Sequence, residues 1–114
     1  MAKTIQLLTA RCGKIRPDSV ADYLAHDGFS ALKKAMNMSP MEIINEVIDA
    51  KLLGRGGASY PAGKKWKQLY EIEGDPKYIV CNADEGEPGT FKDKVLLEKD
   101  PLSIIEGMAI AGYV

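Results

Sequence analysis

The sequence predicts an α/β fold that is rich in helices and has few strands. Ser39-Pro40-Met41-Glu42 has the pattern of a capped helix start with proline in the first turn. A glycine-rich stretch at 54–63 interrupts the chain after that helix. The short apolar run Tyr78-Ile79-Val80-Cys81 is typical of a buried, parallel strand. Together these observations predict helices that frame a loop, followed by one strand.

Length and composition place the chain among soluble globular proteins. Its 114 residues are 46% hydrophobic and 27% charged, with a formal net charge of −1. This charge leaves no basic surface of the kind that binds nucleic acid. No apolar run approaches the roughly 20 residues that a membrane span needs. We therefore expect no nucleic-acid partner, no membrane insertion and a cytoplasmic location.

The first half of the chain predicts three helices that lead to the glycine-rich stretch. A short strand is expected over 4–9, where β-branched and apolar residues cluster. Helices are expected over 17–25 and 29–36. The third helix begins at Pro40, continues through apolar residues at helical spacing, and ends near Leu53.

The second half predicts a helix over 62–70, the strand at 78–81, and two further helices over 91–98 and 101–114. The last of these is apolar and has no recognisable helix stop. A helix of this kind needs a partner surface, which favours a segment of a larger domain. The alternative is a short natural chain that docks onto a partner.

The stretch 54–66 has the composition of a phosphate-binding loop. Four of the eleven glycines fall within 54–63, next to Arg55, Lys64 and Lys65. Glycine-rich backbone presents N–H groups to an anion, and a following helix start adds its dipole. The dinucleotide pattern G-x-G-x-x-G fails at Ser59, and the Walker pattern fails at Ala58 and Lys65. The alternative is an ordinary solvated turn.

The segment after the predicted strand is acidic where the first loop is basic. Asp84, Glu85 and Glu87 lie within four residues of one another. In open α/β sheets, ligands bind beyond the carboxyl ends of strands, which is where this segment begins. Alone it could be a solvated acidic turn. The two loops together favour a binding site, with phosphate at the basic loop and hydroxyl or amide donors at the acidic one.

The cysteine pattern provides no metal site. Cys12 and Cys81 are the two cysteines, and no Cys-x-x-Cys is present. A four-cysteine iron–sulfur cluster cannot be assembled from this chain. We expect both thiols to be buried and unreactive.

At the two loops the sequence resembles a known family. The matching stretches are GRGGASYPAGKKW at 54–66 and CNADEGEPGTFKDKVLLEKDP at 81–101. They resemble the flavin-bearing, NADH-oxidising subunit of respiratory complex I and the diaphorase subunits of NAD(P)-linked hydrogenases and formate dehydrogenases. The similarity extends upstream through SPMEIINEVIDAKLLGRGG and covers almost the whole chain.

The resemblance implies the N-terminal portion of that family's FMN-binding domain. Residues 1–53 would form a helical approach segment, and residues 54–114 an FMN- and NADH-binding core segment that continues beyond this chain in the family. The resemblance assigns two residues to NADH, Tyr60 and Glu87. Its FMN contacts would be Gly54, Arg55, Gly56, Gly57, Lys65, Asn82, Asp84 and Glu85.

The resemblance also implies a reaction and its partners. Hydride would pass from NAD(P)H to FMN, and electrons would then leave to the iron–sulfur subunits of a multi-subunit redox complex. A 4Fe–4S cluster occurs in the full-length family, but this chain carries no ligands for it. The chain departs from the family at Ser59, where glycine is usual, and at Gln68, where a second aromatic is frequent. The alternative is a structural or interaction segment without activity of its own.

Overall fold

The computed structural model describes residues 7–55, 58–85, 89 and 91–114, which fold into α-helices joined by turns and extended segments. None of the helices in these ranges is both long and apolar enough to cross a membrane. The predicted helix-rich architecture with few strands is confirmed, because the described residues form six helices and one isolated antiparallel bridge. The elements are α1 Val20–Ala25, α2 Ser30–Met36, α3 Pro40–Asp49, α4 Ala62–Glu71, α5 Lys92–Lys99 and α6 Pro101–Tyr113.

Helix α3 begins as its sequence predicts. The Glu42 N–H donates to the Ser39 hydroxyl oxygen at 3.3 Å, and the Ser39 N–H donates back to the Glu42 carboxylate at 3.3 Å. This reciprocal pair satisfies two backbone donors that a helix start otherwise leaves free. The helix ends at Asp49 rather than near Leu53, because Lys51 takes a positive φ of 56° and turns the chain out of the helix.

Helices α3 and α4 pack closely because Gly63 has no side chain. Gly63 is buried, and a Cβ built there would lie 2.6 Å from Ile48 Cγ1 and 2.8 Å from the Ile48 backbone nitrogen. A methyl group at this position cannot be accommodated without moving one helix. The neighbouring side chains of Ile43 and Ile44 on α3 are also buried. The close approach of the two helices fixes both ends of the loop that connects them.

Helix α6 packs against α2 through a buried carboxylate. Glu106 accepts hydrogen bonds from the backbone N–H groups of Phe29 at 2.8 Å and Leu32 at 3.1 Å, at the start of α2. It also accepts one from the hydroxyl of Tyr23, a fully buried residue of α1. At the other end of α2, the Tyr113 hydroxyl lies 3.2 Å from the Met36 carbonyl oxygen. The polar contacts of α6 thus hold both ends of α2.

The predicted strand at 78–81 is wrong for this structure. That segment is extended but pairs with no strand among the described residues, where the Leu53–Pro61 contact is an isolated antiparallel bridge. Tyr78 is 77% exposed and Val80 is 82% exposed. A strand forms only when a neighbouring segment accepts and donates its backbone hydrogen bonds. None of the described segments lies alongside it in that way.

The same unpaired segment explains a second error. Cys81 is exposed rather than buried, and Cys12 is half-buried. The thiol of Cys81 follows the backbone of an unpacked segment, so the described part of the chain does not cover it.

The predicted strand at 4–9 is wrong over the part that can be described. Residues 7–9 form a bend and the start of a turn, and residues 4–6 lie outside the described ranges. The Cys12 N–H donates to the Thr9 carbonyl oxygen at 3.0 Å, which closes a turn where the strand would have continued.

Candidate functional site

The glycine-rich loop is closed at its base by backbone contacts. The Gly54 N–H donates to the Tyr60 carbonyl oxygen at 2.8 Å, and the Ala62 N–H donates to the Leu52 carbonyl oxygen at 2.9 Å. Between these bonds lies the Leu53–Pro61 bridge. The loop therefore leaves α3 and enters α4 at nearly the same place. Gly56 and Gly57, two of the predicted FMN contacts, lie outside the described residues.

The backbone conformation at Ser59 explains why glycine is suited to this position of the loop. Its φ is 51°, in the left-handed region that residues with a Cβ adopt at a cost. The sequence departs from the resembled family at this same position. The structure accommodates serine here because the side chain is exposed. The backbone keeps the left-handed conformation that glycine would adopt more easily.

Tyr60 is held against the first two turns of α4. The Lys65 ammonium lies 5.4 Å from the centre of the Tyr60 ring. The Gln68 side-chain amide donates to the Tyr60 hydroxyl at 3.2 Å. The structure thus brings together two of the predicted site residues, Tyr60 and Lys65. It also brings Gln68 to this group, a residue that the sequence singles out only because it departs from the family pattern.

Two cations of the basic stretch, Lys64 and Lys65, lie in the first turn of α4. Arg55, Lys64 and Lys65 are all exposed. Helix α4 begins after Pro61, and no side chain of the described residues caps its first N–H groups. The dipole of a helix start and cationic side chains both favour an anion. This donor set suits a phosphate.

The acidic segment is organised separately. Asn82 Oδ1 accepts from the Asp84 N–H at 3.1 Å, which forms a local turn. The two carboxylate oxygens of Glu85 accept from the N–H groups of Asp93 and Lys94, each at 2.9 Å. Glu85 therefore caps α5 in this structure. Glu87, the second predicted NADH contact, lies outside the described residues.

The two loops form two clusters in this structure. Among the described residues, no hydrogen bond or ion pair joins the basic loop to Asn82, Asp84 or Glu85. A cavity of about 780 Å³ adjoins the basic loop through Lys65 and Trp66 and reaches Tyr78 and Gly112. Its volume falls within the usual range for a small-molecule pocket, but none of the acidic-segment residues that the structure describes lines it.

The structure contains a buried charged cluster that sequence reasoning missed. Arg11 lies 4.9 Å from the Tyr23 ring and 3.7 Å from the Asp100 carboxylate, which is 1% exposed and has no hydrogen-bond partner among the described residues. Glu106 joins the cluster through Tyr23. A lone carboxylate within the apolar run Ile104–Ile110 was the available signal for Glu106. The signal shows that the carboxylate needs a partner but does not identify it.

Burial and hydrogen bonding shift the titration of two groups in this cluster. Burial and the hydrogen bond to Glu106 raise the pKa of the Tyr23 hydroxyl well above its ordinary value. Burial alone would raise the pKa of Glu106. The hydrogen bonds from Tyr23, Phe29 and Leu32, with the nearby Arg11 charge, outweigh it and lower that pKa. Both shifts keep Tyr23 neutral and Glu106 ionised, which is the arrangement that their hydrogen bond requires.

A family model and several similar proteins place this chain in the same family. Residues 47–114 match the family described as the Nuo51 FMN-binding domain. An NADH-quinone oxidoreductase subunit of Aquifex aeolicus is 51% identical over 110 residues, which is 96% of this chain and 26% of that protein. NADP-reducing hydrogenase subunit HndC of Solidesulfovibrio fructosivorans is 46% identical over 97% of this chain and 22% of its own length.

A third relative belongs to another hydrogenase. NAD-reducing hydrogenase HoxS subunit alpha of Cupriavidus necator is 46% identical over 74% of this chain and 14% of its own length. The chain thus spans about a quarter or less of the length of these three relatives.

Proposed function

This chain belongs to the Nuo51 FMN-binding domain family, and on that basis we propose that it is part of an NADH-oxidising flavoprotein subunit. The observation that carries the proposal is a basic loop, closed at its base, in the segment that matches an FMN-binding domain. When bound, FMN would supply the chemistry: acceptance of a hydride from NAD(P)H and transfer of electrons to iron–sulfur centres. The protein supplies position and electrostatics.

The two loops divide the binding of FMN by the sign of their charges. Lys65 and the backbone of 54–57 hold the phosphate and the ribityl end. Asn82, Asp84 and Glu85 bind ribityl hydroxyls or the ring edge. Two like unit charges 4 Å apart repel by about 4 kcal/mol at an effective dielectric constant of 20. A phosphate beside the carboxylates would meet that repulsion, whereas Arg55 and Lys65 stabilise it.

The acidic segment already uses some of its acceptor atoms within the chain. Glu85 uses both oxygens to cap α5, and Asn82 accepts from the Asp84 N–H. Ligand hydroxyls can still bond to the exposed Asp84 and to the remaining amide of Asn82. Tyr60 and Glu87 contact the dinucleotide. In this arrangement residues 1–53 form a helical segment that precedes the site, and residues 54–114 form the segment that binds the cofactor.

The whole subunit works in a multi-subunit redox complex with iron–sulfur partners. The three relatives are named as subunits of NADH-quinone oxidoreductase and of NAD(P)-reducing hydrogenases, which supports this placement. The proposed location is the cytoplasm or the cytoplasmic face of a membrane complex. The cluster that receives the electrons has its ligands outside this chain.

The proposal is tested by flavin content and kinetics in the complete assembly. Lys65→Ala should lower the FMN that the purified assembly retains, measured by its visible absorbance, because a phosphate loses its cation. Glu87→Gln should leave FMN in place and alter the kinetics of NADH oxidation. Lys67→Ala is the matched control, since it removes the same charge from α4. The division of roles fails if Glu87→Gln releases flavin while Lys65→Ala retains it.

A structural role is the second candidate, and one observation favours it. The chain leaves large apolar side chains exposed, among them Tyr78 and Val80, as a segment that packs against a partner would. The absorbance spectrum of the purified chain, alone and with its redox partners, separates the two functions. A flavin spectrum in either sample supports the enzyme, and its absence from both supports the structural segment.

A further inference from the structure

Tyr60 has three contacts, which restrain its backbone and its ring. The Gly54 N–H donates to its carbonyl oxygen at 2.8 Å, which fixes the backbone. The Lys65 ammonium lies 5.4 Å from the ring centre, against one face. The Gln68 amide donates to the ring hydroxyl at 3.2 Å. Lys65 and Gln68 are three residues apart on α4 and therefore neighbours on one helix surface.

We infer that Gln68 is a positioning residue for the dinucleotide: its bond to the Tyr60 hydroxyl holds the end of the ring while Lys65 lies over one face, so that the other face receives a planar ring of NAD(P)H. This inference rests on the proposed function. Gln68 itself need not touch the ligand. It acts through the orientation of Tyr60.

The physical basis is pre-organisation. An aromatic side chain at the end of a loop loses rotamer freedom when a ligand ring stacks on it, and that loss weakens binding. Tyr60 is only half-buried, so packing alone does not fix its ring. A side-chain bond from a rigid helix removes the freedom before the ligand arrives. The Lys65 ammonium lies over one face of the ring, so a ligand ring would stack on the other face.

The inference also explains how the chain accommodates its departure from the family at position 68. Where a second aromatic is frequent in the family, this chain has an amide that cannot stack in the same way. The structure places that amide on the hydroxyl of the remaining aromatic. One fixed ring then replaces a pair of rings as the stacking surface.

The ordering of Tyr60 is tested in the complete assembly without NADH. The tyrosine rings of this chain are labelled with ¹³C, and nuclear magnetic resonance relaxation reports the order of the Tyr60 side chain. Gln68→Leu keeps the bulk and removes the bond, so the order parameter of Tyr60 should fall. Gln68→Glu can accept from the phenol and should restore it, and Lys67→Leu is the matched control on the adjacent residue of α4. Unchanged order in Gln68→Leu overturns the inference.

The consequence for binding is tested by a double-mutant cycle in the complete assembly, with NADH as the probe. Gln68→Leu should weaken NADH binding about threefold, the effect of losing one weak hydrogen bond. In a Tyr60→Phe background the same change should have no effect, because the hydroxyl is gone. FMN absorbance should stay at the wild-type level in both backgrounds.

The outcomes separate the inference from the function on which it rests. Equal weakening in both backgrounds means that Gln68 does not act through Tyr60, and the inference is then wrong while the proposed function stands. No weakening in either background leads to the same conclusion. A wild-type assembly that binds neither FMN nor NADH instead overturns the proposed function, and the positioning role is overturned with it.

Discussion

Ser59 carries conformational strain at the residue scale. Its φ of 51° lies in the left-handed region, which costs a residue with a Cβ about 1 kcal/mol. We expect Ser59→Gly to stabilise the closed loop by up to about 1 kcal/mol, reduced by the greater freedom of glycine in the unfolded chain. The measurement is hydrogen exchange of the Gly54 and Ala62 amides, whose bonds close the loop.

Two further substitutions at Ser59 act as controls. Ser59→Ala keeps the strain and should leave the exchange rates near those of the wild type. Ser59→Val should speed exchange, because a β-branched residue tolerates this region least. If all three variants exchange alike, the strain at Ser59 has no effect on the loop.

Glu106 and Tyr23 give stability a predictable dependence on pH. The pKa of Glu106 is lowered by folding, so its contribution is present above the unfolded value of about 4.3 and is lost as pH falls through the folded value. The pKa of Tyr23 is raised, so its contribution is present below about 10 and is lost as pH rises. Helical circular dichroism across an acid titration follows the Glu106 contribution.

Substitution of Glu106 removes the acid part of this dependence. Glu106→Gln keeps the shape and cannot ionise, so helix content should fall less steeply with pH below about 4. At neutral pH the variant should be less stable by about 1–3 kcal/mol, because its amide group cannot accept every bond that the carboxylate accepts. An acid transition identical to that of the wild type would show that other carboxylates control it.

The contact between α3 and α4 depends on one glycine at the scale of elements. Gly63→Ala places a methyl group 2.6 Å from Ile48 Cγ1, which forces the helices apart. We expect a loss of about 1–3 kcal/mol, the usual cost of overpacking. Faster hydrogen exchange of the Ala62 amide, which bonds to Leu52, is the measurement.

A second glycine supplies the opposite control. Gly107 lies within α6, and a Cβ built there meets no atom within 4 Å. Gly107→Ala should therefore stabilise α6 by about 0.5–1 kcal/mol through helix propensity. Equal effects of the two substitutions would contradict the packing that we assign to Gly63.

At the scale of the whole molecule, the chain exposes more surface than its mass requires. Its accessible surface is 8677 Å², whereas a folded monomer of this mass exposes about 6,100 Å². Its radius of gyration is 15.4 Å, against about 13 Å for a domain of this length. The surplus includes Leu7, Tyr78 and Val80, each more than three-quarters exposed. The fold buries too little apolar surface to stand alone securely.

We therefore expect the purified chain to self-associate and to melt without a sharp transition. Exposed apolar surface of this extent promotes association, and a small core gives little cooperativity. Sedimentation velocity measures the association, and circular dichroism measures the melt. A monomer with a cooperative melt would show that the described fold is sufficient on its own.

The helix starts and the family motifs could be predicted from the sequence because they depend on residues that are close together in the chain. The capping box at Ser39 and Glu42 acts over three residues, and the structure contains it as predicted. The glycines and cations of the basic loop are likewise adjacent in the chain. Helix starts, turns and motifs of this kind depend on neighbours within a few residues, so a single sequence contains the information that fixes them.

Only the tertiary structure decided the contacts between distant residues. Tyr23 and Glu106 are separated by 83 positions, and no periodicity in the sequence pairs them. The run at 78–81 has the composition of a strand but remains unpaired among the described residues, because pairing depends on a second segment rather than on the run itself. The same holds at the site. The loop that carries Tyr60 is closed where α4 packs on α3 through Gly63, and that packing is set by shapes that meet only in the folded chain.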